Sequence, residues 1–513
     1  MKKFRFLTLS LFITFITVNY PFLAAIAQLS KGTAGFSSGA GTTTTNNTVF
    51  SMPANLGNQD TNESTQTVED PLSNFSQGNN NQREISRIVT DPPAIIYTEQ
   101  FSTRDFQRYL NLSPRPEITL AQTKSFLRKV NAVSGINPAL IYISFSTPPI
   151  IQTASNVSNT TTQPNNELQI LIVTQAGALP IIAVPGVTYE EMLKVVRKLE
   201  NNLSNKTEGQ DFLPQASQLY EWIIFPIQQQ LQKQKIDSLS FVLDSGLRTL
   251  PIAALYNAQT NQFVIENYSV SLMPSLSLTD LTPRARQDIN NSQVLAMGAD
   301  SFPDQKPLPA VPFELSEITQ KLLTGEIFLN KNFTVDNFKK AFETQKFNIV
   351  HLATHGEFKS GSRANSYIYF SDQKLNLDQF SALGLDSPKV DLLVLSACKT
   401  ALGDPQAELG FAGLAVKTGV RTALGSLWYV SDEGTLALMA LFYNQLKTAQ
   451  TKTEALRKAQ LALLNGKYEI VGQELILDGS IRLTLSPQLL NTFKQNLRHP
   501  YYWSAFTLIG NPW

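Results

Sequence analysis

A single cysteine, Cys398, is the only thiol in 513 residues, so no internal disulfide can form. Charge is scarce as well. Asp, Glu, Lys and Arg make up 16% of the chain and sum to +1, which excludes the basic field that a nucleic-acid-binding protein presents. Histidine occurs three times, at 351, 355 and 499. His351 and His355 lack the intervening Glu of a zinc-peptidase helix and fall in a strand-like run, so no metal centre is expected. No G-x-G-x-x-G stands at a strand-to-helix turn, which removes the usual dinucleotide site, and no cofactor of any kind is expected. Nor is there a repeat of solenoid period.

Apolar residues are plentiful by contrast. At 42% of the chain they suffice for a large core, with a polar surface that draws on Ser, Thr, Asn and Gln. The first 27 residues read as a secretory signal: Lys2, Lys3 and Arg5, then an apolar run over 6–18, then Ala25-Ile26-Ala27 as the cleavage pattern. Export to the periplasm or the exterior follows, with the mature chain starting at Gln28. The rival reading is an uncleaved anchor, since 20–27 prolongs the apolar stretch to spanning length. Membrane contact is expected only in that case. Residues 28–82 are a polar leader dominated by Gly, Ser, Thr and Asn, too poor in apolar surface to offset their ordering entropy. A similar tract at 152–166 lies between strand-like runs at 140–145 and 168–173 and is expected as a surface loop.

From about residue 94 onward, short apolar runs alternate with amphipathic stretches. Thr188 with Glu191 makes a capping box that opens a helix through 199, and Thr451 with Glu454 opens another. Strands are expected at 239–243, 294–297, 347–353, 392–395, 422–427 and 506–509. Runs that are apolar on both faces and separated by helices imply an α/β fold with a mostly parallel sheet covered on both sides.

Reactive groups in such sheets gather at the carboxyl ends of strands. One run ends in His355-Gly356 and another in Ala397-Cys398. If the two strands are neighbours, His355 can hold Cys398 as thiolate and later return a proton to a leaving amine. The glycine lets the main chain approach closely, so the N–H groups of Gly356 and Cys398 could face a developing oxyanion. A lone buried thiol, inert in the core, is the competing reading of Cys398.

These residues resemble the CHAT-domain family, a branch of the caspase-like cysteine peptidases that includes separase. The resemblance rests on His355-Gly356 and Ser396-Ala397-Cys398-Lys399-Thr400, with further family-like phrases at 243–251, 426–432 and 502–506. It implies a fold of two caspase-like halves, 135–310 and 311–513, preceded by a helical extension at 83–134. The second half would carry the His355–Cys398 dyad and cleave a protein or peptide substrate. Many family members carry helical repeats, whereas this chain has a signal-like start and a polar leader.

Four acidic residues, Asp404, Glu408, Asp432 and Glu433, could orient His355 or line a pocket for a basic substrate residue, with Asp432 and Asp404 the chosen pocket candidates. Asp432 could equally cap a helix. His351, inside its strand, is expected to be structural, and His499 to lie on the surface. Arg248 could pair with an acidic group across the two halves. An interaction module that keeps the fold without turnover is the alternative function.

Overall fold

The structure, a computed structural model, describes residues 88–89, 93–145, 167–205, 211–282, 289–387, 389–400, 402–493 and 496–513. The expected signal (1–27), the leader (28–82) and the tract at 152–166 lie outside the described residues. So do the side chains of Ala397, Cys398 and Lys399, whose backbone is described.

Among the described residues fourteen strands form one sheet. In chain order they are β1 (Ile88–Val89), β2 (Pro138–Ser144), β3 (Glu167–Thr174), β4 (Ile181–Thr188), β5 (Ser238–Leu243), β6 (Ser269–Leu272), β7 (Gln293–Gly298), β8 (Thr324–Leu329), β9 (Ile349–Phe358), β10 (Tyr367–Tyr369), β11 (Lys374–Asn376), β12 (Leu392–Thr400), β13 (Thr422–Ser426) and β14 (Phe506–Gly510). The spatial order is β1-β4-β3-β2-β5-β6-β14-β13-β12-β9-β10-β11, with β7 along the first part of β9 and β8 beyond β7.

Two parallel blocks stand side by side. One is β2-β5-β6 and the other β13-β12-β9-β7-β8. The last strand of the chain, β14, joins them: it runs parallel to β6 and antiparallel to β13. Both blocks carry antiparallel edges, β1-β4-β3-β2 on one side and β9-β10-β11 on the other. The α/β class holds, and the sheet is mixed with a mostly parallel centre; β7 pairs within the second block although it precedes the expected boundary at 310. Every residue of β5 is buried, because helices cover both faces of the parallel centre.

Two helices, α1 (Pro93–Leu110) and α2 (Leu120–Ser134), precede the sheet's second strand. On α1 the buried Glu99 accepts from Tyr142 Oη at 3.0 Å and from the Ser277 amide at 2.7 Å, while Phe106 and Leu110 pack on Leu278 and Ala412. The helix therefore touches both blocks. The Thr188–Glu191 capping box is present and opens α3 (Tyr189–Ser204), which continues past the expected end at 199. At the other expected start Thr451 accepts from the Glu454 amide, but the Glu454 carboxylate reaches back to the Gln450 amide, one residue farther than a capping box requires.

The second block is built around α6 (Asp432–Leu446). It follows α4 (Val311–Ser316) and α5 (Pro405–Ala412) in the chain and precedes α7 (Lys452–Leu464). Almost all of α6 is buried, so it is apolar on every side, and each fully covered Leu or Met contributes about 1.5–3 kcal/mol of burial. Close packing also explains a glycine in its first turn: a Cβ at Gly434 would lie 2.4 Å from Tyr502 Cδ1. Among the described residues no helix is long and apolar enough to cross a membrane.

Candidate active site

The two runs singled out in the sequence are neighbours. β9 and β12 pair in parallel, with Ile349 opposite Leu392 through to Leu352 opposite Leu395. The register then shifts, so that His355 faces Ala397 and Gly356 faces Cys398. Ala353 and Thr354 share one partner position, Ser396, which is the two-against-one count of a β-bulge. Thr354 holds the bulge by donating its hydroxyl to the Tyr369 carbonyl at 2.7 Å.

The strands run farther than expected. Pairing continues to Phe358 and Thr400, and Gly356 is also laddered to Ile368 of β10. His355 and Cys398 thus lie within the last third of their strands rather than at the ends, because β10 returns alongside β9 and prolongs the ladder. Neighbouring strands are about 4.8 Å apart, which sets the backbone of Cys398 one strand across from Gly356 and diagonal to His355.

The bulge also separates the two histidines. Strict alternation would put His351 and His355 on one face; the extra residue breaks that alternation, and the two rings meet different surroundings. His351 is wholly buried between Glu314 of α4, with Nε2 at 2.8 Å from Oε1, and the Tyr443 hydroxyl of α6, at 2.9 Å from Nδ1. It is a structural residue, as expected. His499, expected on the surface, is half-buried: its Nδ1 accepts from the Tyr501 amide and its ring stands edge-on to Phe212 at 5.2 Å. Pro500 opens a short helix there, and the imidazole serves as its cap.

His355 is 5% exposed. Its Nε2 lies 2.8 Å from the carbonyl oxygen of Lys306. A carbonyl can only accept, so Nε2 carries the hydrogen and the neutral ring keeps its lone pair on Nδ1. Phe302 meets the ring edge-on at 5.4 Å, Tyr369 lies at 6.3 Å, and Tyr429 lies nearly parallel to it at 6.3 Å. Burial pushes the imidazole pKa below its ordinary value, against the opposing pull of the Lys306 carbonyl and the Glu357 charge.

Two of the residues around His355, Phe302 and Lys306, come from a segment for which the sequence offered no expectation, 299–310. It follows β7, whose last residue, Gly298, lies beside Ala353, two residues before His355 on β9. The available signal was Lys306-Pro307-Leu308-Pro309, a stiff turn-forming run directly after a parallel strand.

The acidic candidates fall into separate roles. Asp404 caps α5, accepting from the amides of Gln406 at 3.1 Å and Ala407 at 2.8 Å. Asp432 lies at the first residue of α6, after Ser431 in the cap position, and its carboxylate accepts from the Ala310 amide. Burial, reinforced by Glu314 and Glu433, raises the Asp432 pKa to about 7. Glu408 is fully buried, where it accepts from the Gly246 amide at 2.8 Å. Arg248 forms its ion pair with Asp105 of α1 at 3.0 Å, and it also faces an acid of the second half, Glu408, whose pKa its charge and its amide pull down. Among the described residues no group of three or more His, Cys, Asp or Glu is placed to hold a metal ion.

Three comparisons place this arrangement among known proteins. No curated protein matches the chain. Solved structures that match the chain include two of the Saccharomyces cerevisiae separase–securin complex, 11% identical, with TM-scores of 0.44 and 0.45, covering 81% of this chain and 34% of theirs. This chain thus spans about a third of the length of those structures. A complex of Porphyromonas gingivalis RgpB pro- and mature domains is 11% identical with a TM-score of 0.34, covering 63% of this chain and 77% of that one. The model of the CHAT domain matches residues 213–511, more than half of the chain and inclusive of β9 and β12. The protein belongs to the CHAT domain family.

Proposed function

We propose that the protein is an exported cysteine endopeptidase that hydrolyses peptide bonds in a protein partner through His355 and Cys398. The observation that carries this reading is the register of β9 on β12, which sets Cys398 one strand across from His355-Gly356. The Lys306 carbonyl supports it by leaving Nδ1 of His355 as the free acceptor. In this reading Nδ1 takes the Cys398 proton, the thiolate adds to the scissile carbonyl, and the proton passes to the departing amine. Water then hydrolyses the thioester and restores the thiol. The amides of Gly356 and Cys398 are the assigned oxyanion donors. Export rests on the signal-like residues 1–27.

Alkylation of Cys398 by iodoacetamide tests the dyad directly, since thiolate is the reacting species. His355→Ala should slow labelling near neutral pH by about tenfold or more. Equal rates in the two proteins would end the proposal. Incubating the chain that begins at Gln28, and its Cys398→Ala form, with a mixed peptide library then reads out the cleaved bonds as new termini.

A second reading, an interaction module without turnover, is favoured by one observation. His355 is only 5% exposed, under the segment that carries Phe302 and Lys306. Slow alkylation together with partner binding that survives Cys398→Ser would select it.

A further inference from the structure

The segment 299–310 supplies the carbonyl that holds His355, so whatever fixes this segment also fixes the imidazole. It is fastened at several points. The Leu308 amide donates to the Asp300 carbonyl at 2.7 Å, and the Asp300 amide donates to Asn330 Oδ1 at 3.0 Å. Gln305 Nε2 donates to the Tyr369 hydroxyl at 3.0 Å, and the Lys306 ammonium sits 5.3 Å from the centre of the Tyr429 ring. At the far end the Ala310 amide donates to the Asp432 carboxylate.

That last bond has leverage on the carbonyl. Between Lys306 and Ala310 stand Pro307 and Pro309, which fix φ at two of the intervening positions and restrict Lys306 and Leu308 to extended backbone. The prolines also remove two amide donors. Leu308 spends its amide on Asp300, which leaves the Ala310 N–H as the donor that ties this run to the 427–432 segment. A stiff run pinned at Ala310 carries the Lys306 carbonyl with it.

We propose that Asp432 is a positioning residue for His355: by accepting from the Ala310 amide it holds 306–310 in place, so that the Lys306 carbonyl keeps the hydrogen on Nε2 and leaves Nδ1 free. This rests on the dyad reading for its consequence in catalysis, but the placement of the hydrogen can be measured without turnover. Asp432 is half-buried and already engaged by a backbone donor, which argues against its use as the counter-charge of a basic substrate residue. The raised Asp432 pKa agrees with a carboxyl group enclosed by protein rather than open to ligand.

The test uses 15N-histidine-labelled protein, in which only three rings report, with His355 assigned by difference from His355→Ala. Solid-state 15N spectra distinguish a protonated from a bare imidazole nitrogen. Asp432→Ala should lose the single Nε2–H form of His355 and should slow Cys398 alkylation and kcat by about tenfold, the worth of one hydrogen bond to a charged group. Asp432→Asn keeps an acceptor oxygen and should retain the Nε2–H form, with rates reduced no more than about threefold. If Asp432→Ala does not fold, Ala310→Pro removes the donor instead, at a φ of −81° that a proline ring allows, and should reproduce the loss.

The proposal is overturned if either variant that breaks the bond keeps the Nε2–H form at the wild-type rate of alkylation. It is also overturned if Asp432→Asn and Asp432→Ala alike lose only Arg and Lys peptides with the tautomer intact, the pattern of a substrate pocket. A protein that cleaves nothing yet shows the tautomer change in Asp432→Ala would sink the peptidase reading and leave the positioning bond standing.

Discussion

The two buried acids around Thr249 make stability depend on pH in a direction opposite to that of ordinary surface carboxylates. Thr249 Oγ1 lies 2.8 Å from Glu200 Oε1 and 3.3 Å from Glu408 Oε1. A hydroxyl has one hydrogen, so it cannot donate fully to two ionised carboxylates at once. Burial raises the Glu200 pKa to about 8 and the Glu408 pKa to about 7. Arg248 and the Gly246 amide oppose the shift of Glu408, and Arg197 that of Glu200; Tyr189 and Asp244 complete the ionisable surroundings. In the unfolded chain both acids ionise near 4.5. Between that pH and about 7 to 8 the folded protein holds protons that the unfolded chain has released, so raising the pH favours unfolding.

Each such proton contributes a slope of about 1.4 kcal/mol per pH unit, and the two together close to 3 kcal/mol per unit where both are bound. The stabilising share is whole below the unfolded value, falls as pH rises through the folded values, and is gone above about 8. Asp432, at about 7, adds to the same trend. Urea unfolding from pH 5 to 9 would measure it. Glu200→Gln and Glu408→Gln should each remove one share of the slope, and the double variant both, since Gln keeps an acceptor for the Gly246 amide and a donor for Thr249. A wild-type stability that rises from pH 5 to 8, or a double variant with an unchanged slope, would refute the reasoning.

Two further outcomes concern packing in the second block. Glu314→Ala strands the wholly buried His351 beside an empty carboxylate position and should cost roughly 3–5 kcal/mol, whereas replacing both Glu314 and His351 by Leu should cost less; denaturant unfolding of the three proteins checks this. Gly434→Ala pushes a Cβ to 2.4 Å from the ring of Tyr502, itself fully buried, and should destabilise by about 1–3 kcal/mol, with part of the loss recovered by adding Tyr502→Leu; a neutral single variant would show that α6 can shift.

Much of this molecule was legible in one dimension because the signals are local. The Thr188–Glu191 box opens α3, and all six apolar runs from 239 to 509 became strands, since doubly covered strands need side chains that are apolar on both faces. His355-Gly356 and Ala397-Cys398 were recognisable for the same reason: each is a short phrase after an apolar run. Relations between distant segments were not legible. The bulge at Ala353 and Thr354, the return of β10 that lengthens β9, and the joining of the two blocks by the last strand depend on pairings between segments far apart in the chain. Lys306 acts on His355 through its main chain, which every residue type shares, so no side-chain pattern could announce it. Asp432 reads alike as a cap, a pocket or a latch until the Ala310 amide is beside it. The sequence by itself determined eight of the fourteen strands, the starts of two helices and which side chains could react, because those signals are local. The tertiary structure decided which of them meet, because contact is a property of folded space and not of order along the chain.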